Sequence, residues 1–424
     1  MPAPMAHASR RQFLKAGGAA GALLSLPALA QGSGGRVVVI GGGFAGATCA
    51  RVIKRLNPNL AVTLVETSRT FIACPFSNEV IVGLRDLKAQ QFGYDRFTAA
   101  SGVAIAFATA TAVDAQKRTV TLDNGSQLDY DRLITAPGID LRWDALPGYT
   151  EASAERMPHA WKAGPQTQLL RSQLEAMDDG GTVLISAPAN PFRCPPGPYE
   201  RASLIAFYLK TTKPKSKIIV LDAKDAFSKQ GLFQNAWKEL YPNLEWVGLS
   251  NGGKVNSVDP GEMTLVTDFE RYKGSVVNVI PPQKAGRIAD LAGITNNTGW
   301  CPINPDTFES TLQPNIHVVG DATIAGAMPK SAFAANAQAK VCAAAVVKLL
   351  ADEKPDEPRI INTCYSFVAP DYGISVANLY RPKDGMLVDA GGGVSPLNAS
   401  AAFRAQEAAF ANGWFKTITE EVFG

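Results

Sequence analysis

The chain has 424 residues, 46% of them hydrophobic and 19% charged, with a formal net charge of +3. That length divides into two or three cores, and the composition excludes a disordered or fibrous chain. The near-balanced charge, with no dense run of Lys and Arg, excludes a surface built for nucleic acid.

Residues 1–30 read as an address. Ser9-Arg10-Arg11-Gln12-Phe13-Leu14-Lys15 has the form of a twin-arginine signal, followed by a moderately apolar run and Ala28-Leu29-Ala30, a small-residue cleavage site. The apolar run is too short and too rich in Gly and Ala to span a bilayer, and no later segment reads as a transmembrane helix of roughly 20 apolar residues. The mature chain is therefore expected in the periplasm, where disulfides persist.

Residues 36–66 read as one βαβ unit. The β-branched run Arg36-Val37-Val38-Val39-Ile40 fits a strand buried on both faces. It runs into Gly41-Gly42-Gly43-Phe44-Ala45-Gly46, then a helical stretch to Leu56, then a second strand over 61–65 closing at Glu66. In a dinucleotide-binding unit Gly41 makes the tight turn, Gly43 admits the pyrophosphate, Gly46 lets helix and strand close, and Glu66 accepts ribose hydroxyls. The glycines alone say little; strand, glycines, helix, strand and acid in order say much more.

The pattern recurs, altered, mid-chain. Strands are predicted at 182–185 and 217–221, the second followed by Asp222, with a helix at 202–210 between them. The connecting loop, residues 186–198, carries Pro188, Pro191, Pro195, Pro196 and Pro198 where a second pyrophosphate site would need glycines. Proline has no N–H to offer an anion. The second unit is expected to keep its shape without its nicotinamide dinucleotide.

Two later strands return to the first unit. Residues 130–135 lead into Ala136-Pro137-Gly138, and residues 315–319 end in Gly320-Asp321, whose acid lies where a flavin's ribityl chain and pyrophosphate would pass, with a helix over 331–350 behind it. The expected fold is α/β: two Rossmann-like, glutathione-reductase-type domains, the second inserted in the first, plus a smaller C-terminal α+β domain. The expected boundaries are 31–150 and 285–351 for the FAD-binding domain, 151–284 for the second, and 352–424 for the third, which ends in an amphipathic helix over 401–417 capped by Ser400.

Several stretches, in this order, resemble the flavoprotein subunit of flavocytochrome c sulfide dehydrogenase, within the pyridine-nucleotide-disulfide-reductase-like group. They are Cys74-Pro75-Phe76-Ser77-Asn78-Glu79, Met157-Pro158-His159-Ala160-Trp161, residues 194–200, Pro281-Pro282-Gln283-Lys284, Gly299-Trp300-Cys301-Pro302 and Asn362-Thr363-Cys364-Tyr365. The resemblance runs along the whole mature chain. It implies a thioether from Cys74 to the flavin, where the residue alone would read as a buried thiol. It implies that Cys194 and Cys364 form a disulfide over the flavin, open to hydrosulfide attack that leaves a persulfide and a thiolate; a plain structural disulfide is the alternative. It makes Glu200 a candidate acid–base, which on position alone could equally be a solvated helix-start glutamate.

The other cysteines and the histidines carry less. Cys49 and Cys342 read as buried apolar residues, and Cys301 stays unassigned. Three histidines in the chain, one inside the signal, leave almost no material for a His-based metal site or a Ser-His-Asp triad. With no Cys-x-x-Cys-His haem attachment sequence, the implied c-type cytochrome must be a separate chain, and hydrogen sulfide the small-molecule substrate. A sulfide:quinone oxidoreductase is the nearest rival. Charges at Arg404, Glu407, Glu420 and Glu421 weigh against the membrane-facing final helix that rival would need.

Overall fold

The computed structural model describes residues 34–424; the signal sequence lies outside them. In chain order, strand β1 (Arg36–Ile40) leads to helix α1 (Phe44–Leu56), strand β2 (Ala61–Glu66), helix α2 (Ser77–Ile81), and strands β3 (Ala104–Phe107) and β4 (Arg132–Thr135). Next come β5 (Thr182–Ala187), α3 (Gly197–Thr212), β6 (Lys217–Asp222), α4 (Gln230–Leu240), β7 (Leu244–Val247) and β8 (Val276–Val279). The chain then gives β9 (Ile316–Val318), α5 (Ala332–Leu350), strands β10 (Ile360–Ala369), β11 (Tyr372–Lys383) and β12 (Met386–Val394), and α6 (Ala401–Phe423).

Three sheets organise these elements. The first is fully parallel in the order β9-β4-β1-β2-β3, so strands from both ends of the chain close around β1. The second, β7-β6-β5-β8, is parallel too, and all its strands fall in sequence between β4 and β9. The third, β10-β11-β12, is an antiparallel meander. The α/β class and paired Rossmann-like sheets match the expectation. So does the continuous β-branched run of β1, whose Val37, Val38 and Val39 are buried beneath helices as a doubly covered parallel strand requires.

Local chemistry sets the helix ends. Ser331 caps α5 by accepting from the Ala334 N–H at 3.0 Å, and Ser400 caps α6 by accepting from the Phe403 N–H at 3.2 Å; each cap contributes about 1 kcal/mol. Helix α5 packs along α1 through small residues and a hydrogen bond from Asn336 to Thr48 of 2.9 Å. Contrary to the expectation from sequence, α5 is long and apolar enough to cross a membrane by length and composition. Its alanines are buried against α1 instead, Ala335, Ala339 and Ala343 among them.

Helix α6 runs six residues beyond its predicted end because its last turns are core. Phe423 stacks on Phe71 at 5.1 Å and on Phe92 at 5.2 Å, and meets Phe44 edge-on at 5.9 Å. The C-terminus thus returns to the glycine turn of the first sheet, where Arg51 donates to the carbonyl of Gly424 at 2.6 Å. Arg404 and Glu407 are a correction to the sequence reading. They face inward as a buried pair at 3.4 Å, with Ser375 and Ser395 also donating to Glu407, so they say nothing about the outer face of α6.

At Gly46 the reason for glycine is geometric. A Cβ there would stand 1.8 Å from the Gly41 carbonyl oxygen, which is backbone and cannot swing away. We predict that Gly46→Ala destabilises the fold by about 1–3 kcal/mol and lowers flavin retention; a urea midpoint equal to that of the unsubstituted protein would refute this.

Candidate active site

One cavity of about 770 Å³ collects residues from the strand ends of the first sheet, from the loop and helix α3 that follow β5, and from β10. The first sheet supplies the turn after β1: Gly41 with φ +97, and Gly43, where a Cβ would meet the Phe71 ring at 3.2 Å. Gly138, after β4, adds a second turn with φ +63 and open space where its Cβ would point. Glu66 closes β2 with its carboxylate accepting from the Gly42 N–H at 2.6 Å and the Ser68 N–H at 2.9 Å. It is built into the turn that it was expected to complement from outside.

Further along the cavity, Asp321 is part-buried, and its enclosed Oδ1 has no hydrogen-bond partner. Desolvation pushes its carboxyl upward, and Arg193, 4.0 Å away, and Lys330 pull it back. A glycine cradle at one end and an unpartnered buried acceptor further along are what a dinucleotide flavin requires: N–H groups for its pyrophosphate and a carboxylate for a hydroxyl. The residues fit FAD.

Cys74, Cys194, Cys364 and Glu200 line the same cavity. The Cys74 Sγ faces the Trp161 carbonyl at 3.9 Å. Cys194 sits on a left-handed backbone (φ 57), pinned by its N–H on the Lys330 carbonyl and its carbonyl under the Gly197 N–H, both at 2.8 Å. A Cβ at Gly197 would lie 3.0 Å from the Cys194 Sγ, so the glycine leaves the sulfur its room. No S–S bond joins the two cysteines in this structure. Burial raises the Cys194 thiol, with Cys364 and Glu200 adding to the shift while Arg193 and Lys229 oppose it. Residues about 170 apart in sequence are thereby brought into one electrostatic neighbourhood.

Glu200 lies in the first turn of α3. Burial pushes its carboxyl up to about 7, held from going higher by the Phe367 N–H at 3.0 Å, by Lys229, and by the Asn78 amide at 3.1 Å. Asn78 and Arg201 escaped the sequence reading. The Arg201 guanidinium is fully buried, donating to Asn78 at 3.0 Å, to Asn278 at 2.8 Å and to the carbonyls of His159 and Ala160 at 3.0 and 2.6 Å. Because Asn78 accepts from Arg201, its amide nitrogen is turned toward Glu200. The only signal in the sequence was an Arg directly after the Glu.

The remaining cysteines behave as structural groups. Cys49 and Cys342 are buried thiols in mutual contact between α1 and α5. Cys301 is buried, its thiol pushed up to about 12 by burial and opposed by Lys330. His159 is held near 3 by burial and by Arg201, and His317 near 4 by burial, so both stay neutral. Among the described residues no cluster of metal-ligating side chains is present.

In the second parallel sheet the acid that ends β6 is engaged internally. Asp222, at the end of β6, is buried and takes hydrogen bonds from the Tyr199 hydroxyl at 2.5 Å, the Trp246 indole at 3.0 Å and the Lys224 ammonium at 2.5 Å. Tyr199 is itself covered by Phe227, ring to ring at 3.6 Å. Few lone pairs of Asp222 remain for a sugar hydroxyl, and prolines occupy the loop beneath.

The paired parallel sheets and the cofactor cavity define a flavin-dependent oxidoreductase of the pyridine nucleotide-disulphide oxidoreductase class, whose family pattern matches residues 35–174. Residues 167–281 match "Sulfide dehydrogenase (flavocytochrome c) flavoprotein chain, central" and residues 356–423 match "Flavocytochrome c sulphide dehydrogenase, flavin-binding". The chain belongs to the flavoprotein family of flavocytochrome c sulfide dehydrogenase. It is 56% identical over 45 residues to the sulfide dehydrogenase flavoprotein chain of Chlorobaculum thiosulfatiphilum, covering 11% of this chain and 94% of that sequence. It is 23% identical over 341 residues to the mitochondrial sulfide:quinone oxidoreductase of Mus musculus, covering 75% of this chain and 72% of that one. The sulfide:quinone oxidoreductase structure from Aquifex aeolicus shares the fold, with a TM-score of 0.71 and 18% identity over 91% of this chain and 92% of that one. Residues 7–27 match the twin-arginine translocation signal, the mark of export to the periplasm.

With Asp222 consumed internally, NADH should neither bind nor bleach the flavin. Millimolar NADH added to the flavin-loaded protein under anaerobic conditions tests this: loss of flavin absorbance on mixing would show that the second sheet still holds a nicotinamide.

Proposed function

We propose that the chain oxidises sulfide in the periplasm, using Cys194 and Cys364 as a redox-active disulfide beside FAD, and that its electrons pass to a c-type cytochrome on a separate polypeptide. The observation that carries this reading is the convergence of Cys74, Cys194, Cys364 and Glu200 on the cavity that suits the cofactor. The glycine turn after β1 would hold the pyrophosphate, Asp321 a ribityl or phosphate-side hydroxyl, and Cys74 would tether the ring through a thioether. When bound, a flavin supplies a two-electron sink that can be emptied one electron at a time.

The chain's own residues do the sulfur chemistry. Hydrosulfide attacks one sulfur of the Cys194–Cys364 bond; a new S–S bond forms to the substrate, and the old bond's electron pair leaves as a thiolate on the other cysteine. Glu200, with a carboxyl poised near 7, accepts the substrate's proton. A quinone acceptor is the second reading, favoured by the shared fold with sulfide:quinone oxidoreductase and by the likeness to the mouse enzyme.

Sulfide should bleach the flavin of the unsubstituted protein, and Cys194→Ser or Cys364→Ser should abolish bleaching while flavin content is kept; bleaching that survives either change sinks the disulfide route. Flavin fluorescence should stay with acid-precipitated polypeptide and move to the supernatant in Cys74→Ser. Glu200→Gln should slow bleaching roughly 100-fold. In the unsubstituted protein the Glu200 contribution rises as pH climbs through about 7, because the base works only when ionised. In the variant that increment should vanish, and identical pH profiles would remove Glu200 from the mechanism.

A further inference from the structure

Lys229 stands immediately before α4 in a position that local physics disfavours twice. It is a non-glycine residue in the left-handed region, with φ 62, where side chains are rarely tolerated. Its ammonium also sits at the N-terminal end of an eleven-residue helix, where the dipole repels cations. No side-chain cap compensates within the helix. Such local violations persist where the surrounding fold over-determines them, and they cluster at functional positions.

Two contacts hold Lys229, one from its own domain and one from the C-terminal sheet. Its Nζ donates to the Cys364 carbonyl at 2.7 Å. Phe227, two residues earlier, is stacked on Tyr199 at 3.6 Å, and Tyr199 directly precedes Glu200. An aromatic anchor therefore fixes the lysine against the first turn of α3 and the middle of β10. Lys229 does not line the flavin cavity, so it reaches the sulfur pair from outside it. Its charge nevertheless acts on Cys194, Cys364 and Glu200 alike. The other charged or titratable groups facing the pair are Arg193 beside Cys194, Arg201 beneath Cys194 and Glu200, and Tyr380 near Cys364.

We propose that Lys229 is a positioning residue for the sulfur chemistry: it holds the Cys364 backbone and supplies the fixed positive charge that stabilises the thiolate expelled when hydrosulfide opens the disulfide. This rests on the reading of Cys194 and Cys364 as the redox pair. The step needs no outside oxidant. The substrate sulfur gains a bond to one Sγ, the Cys194–Cys364 bond breaks, its electron pair stays on the departing sulfur, and the substrate proton goes to Glu200.

The test uses the flavin-loaded protein, reduced with a dithiol, freed of reductant anaerobically, and treated with iodoacetamide across a pH series. Alkylation of Cys194 and Cys364 is read by peptide mass spectrometry, with melting temperature and flavin content as controls. Lys229→Met should move the alkylation midpoint up by about one pH unit, and Lys229→Arg should restore it. Lys229→Gln, which can still donate to the Cys364 carbonyl, should shift the midpoint as Met does, assigning the effect to charge; it also serves where the Met variant fails to fold. Sulfide-driven bleaching below the midpoint should fall about tenfold in the neutral variants, following the thiolate shift. Alkylation curves in both neutral variants that superimpose on that of the unsubstituted protein, or an Arg variant that fails to restore a shifted curve, would overturn the proposal. Should sulfide leave the unsubstituted flavin unbleached while the alkylation curve still shifts, the sulfide reading falls and the charge role of Lys229 stands.

Discussion

A single buried carboxylate ties the molecule together. Glu200, in the first turn of α3, accepts from Asn78 of α2 and from the Phe367 N–H of β10, so one side chain joins segments more than 120 residues away on either side. Its neighbour Arg201 does the same for backbone, gathering the carbonyls of 159 and 160 and the side chain of Asn278. Removing one partner from such a buried charged network costs about 3–5 kcal/mol, far more than any surface ion pair in the chain. The cavity keeps its shape because its wall is made of these bonds.

That dependence explains what could and could not be read from the sequence. The β1–α1–β2 unit was legible because every signal in it is local: a β-branched run, glycines at fixed offsets, an acid at the next strand's end. The proline-rich loop after β5 was legible for the same reason, as prolines where a dinucleotide turn would carry glycines. Asn78, Arg201 and Lys229 were not, since nothing near them in sequence distinguishes a buried network from a solvated face; their partners lie on other sheets. The inward pair Arg404–Glu407 misled in the same way, because periodicity assigns a charge to solvent unless a distant Ser375 and Ser395 are known to receive it. Motif membership did not suffice for a role either: Cys301 lies in the 299–302 stretch and stays silent.

The cavity's electrostatics balance the same way on both flanks. Two buried carboxyls, Glu200 and Asp321, are each pushed upward by desolvation and each restrained by cations, Lys229 for the first and Arg193 with Lys330 for the second. At both acids burial and charge act against each other. Lys330 is itself brought down to about 8 by burial, and its backbone carbonyl fixes the Cys194 N–H. The residue that tempers Asp321 on the cofactor side thus anchors the cysteine on the sulfur side.

Of the ten non-glycine residues with positive φ among the described residues, four stand at or beside the cavity. Phe76, Ala160, Cys194 and Lys229 are all non-glycine residues with positive φ; the first three line the cavity and the fourth grips the Cys364 carbonyl. Each costs of order 1–3 kcal/mol, and each is held by contacts from a segment remote in sequence. Glycine would relieve the local cost at any of the four, yet three of them carry side chains that the cavity or its neighbours use: the Phe76 ring against Phe415, the Cys194 sulfur, the Lys229 ammonium. At those three positions the cost is kept for the side chain, and packing from remote segments is what makes it sustainable.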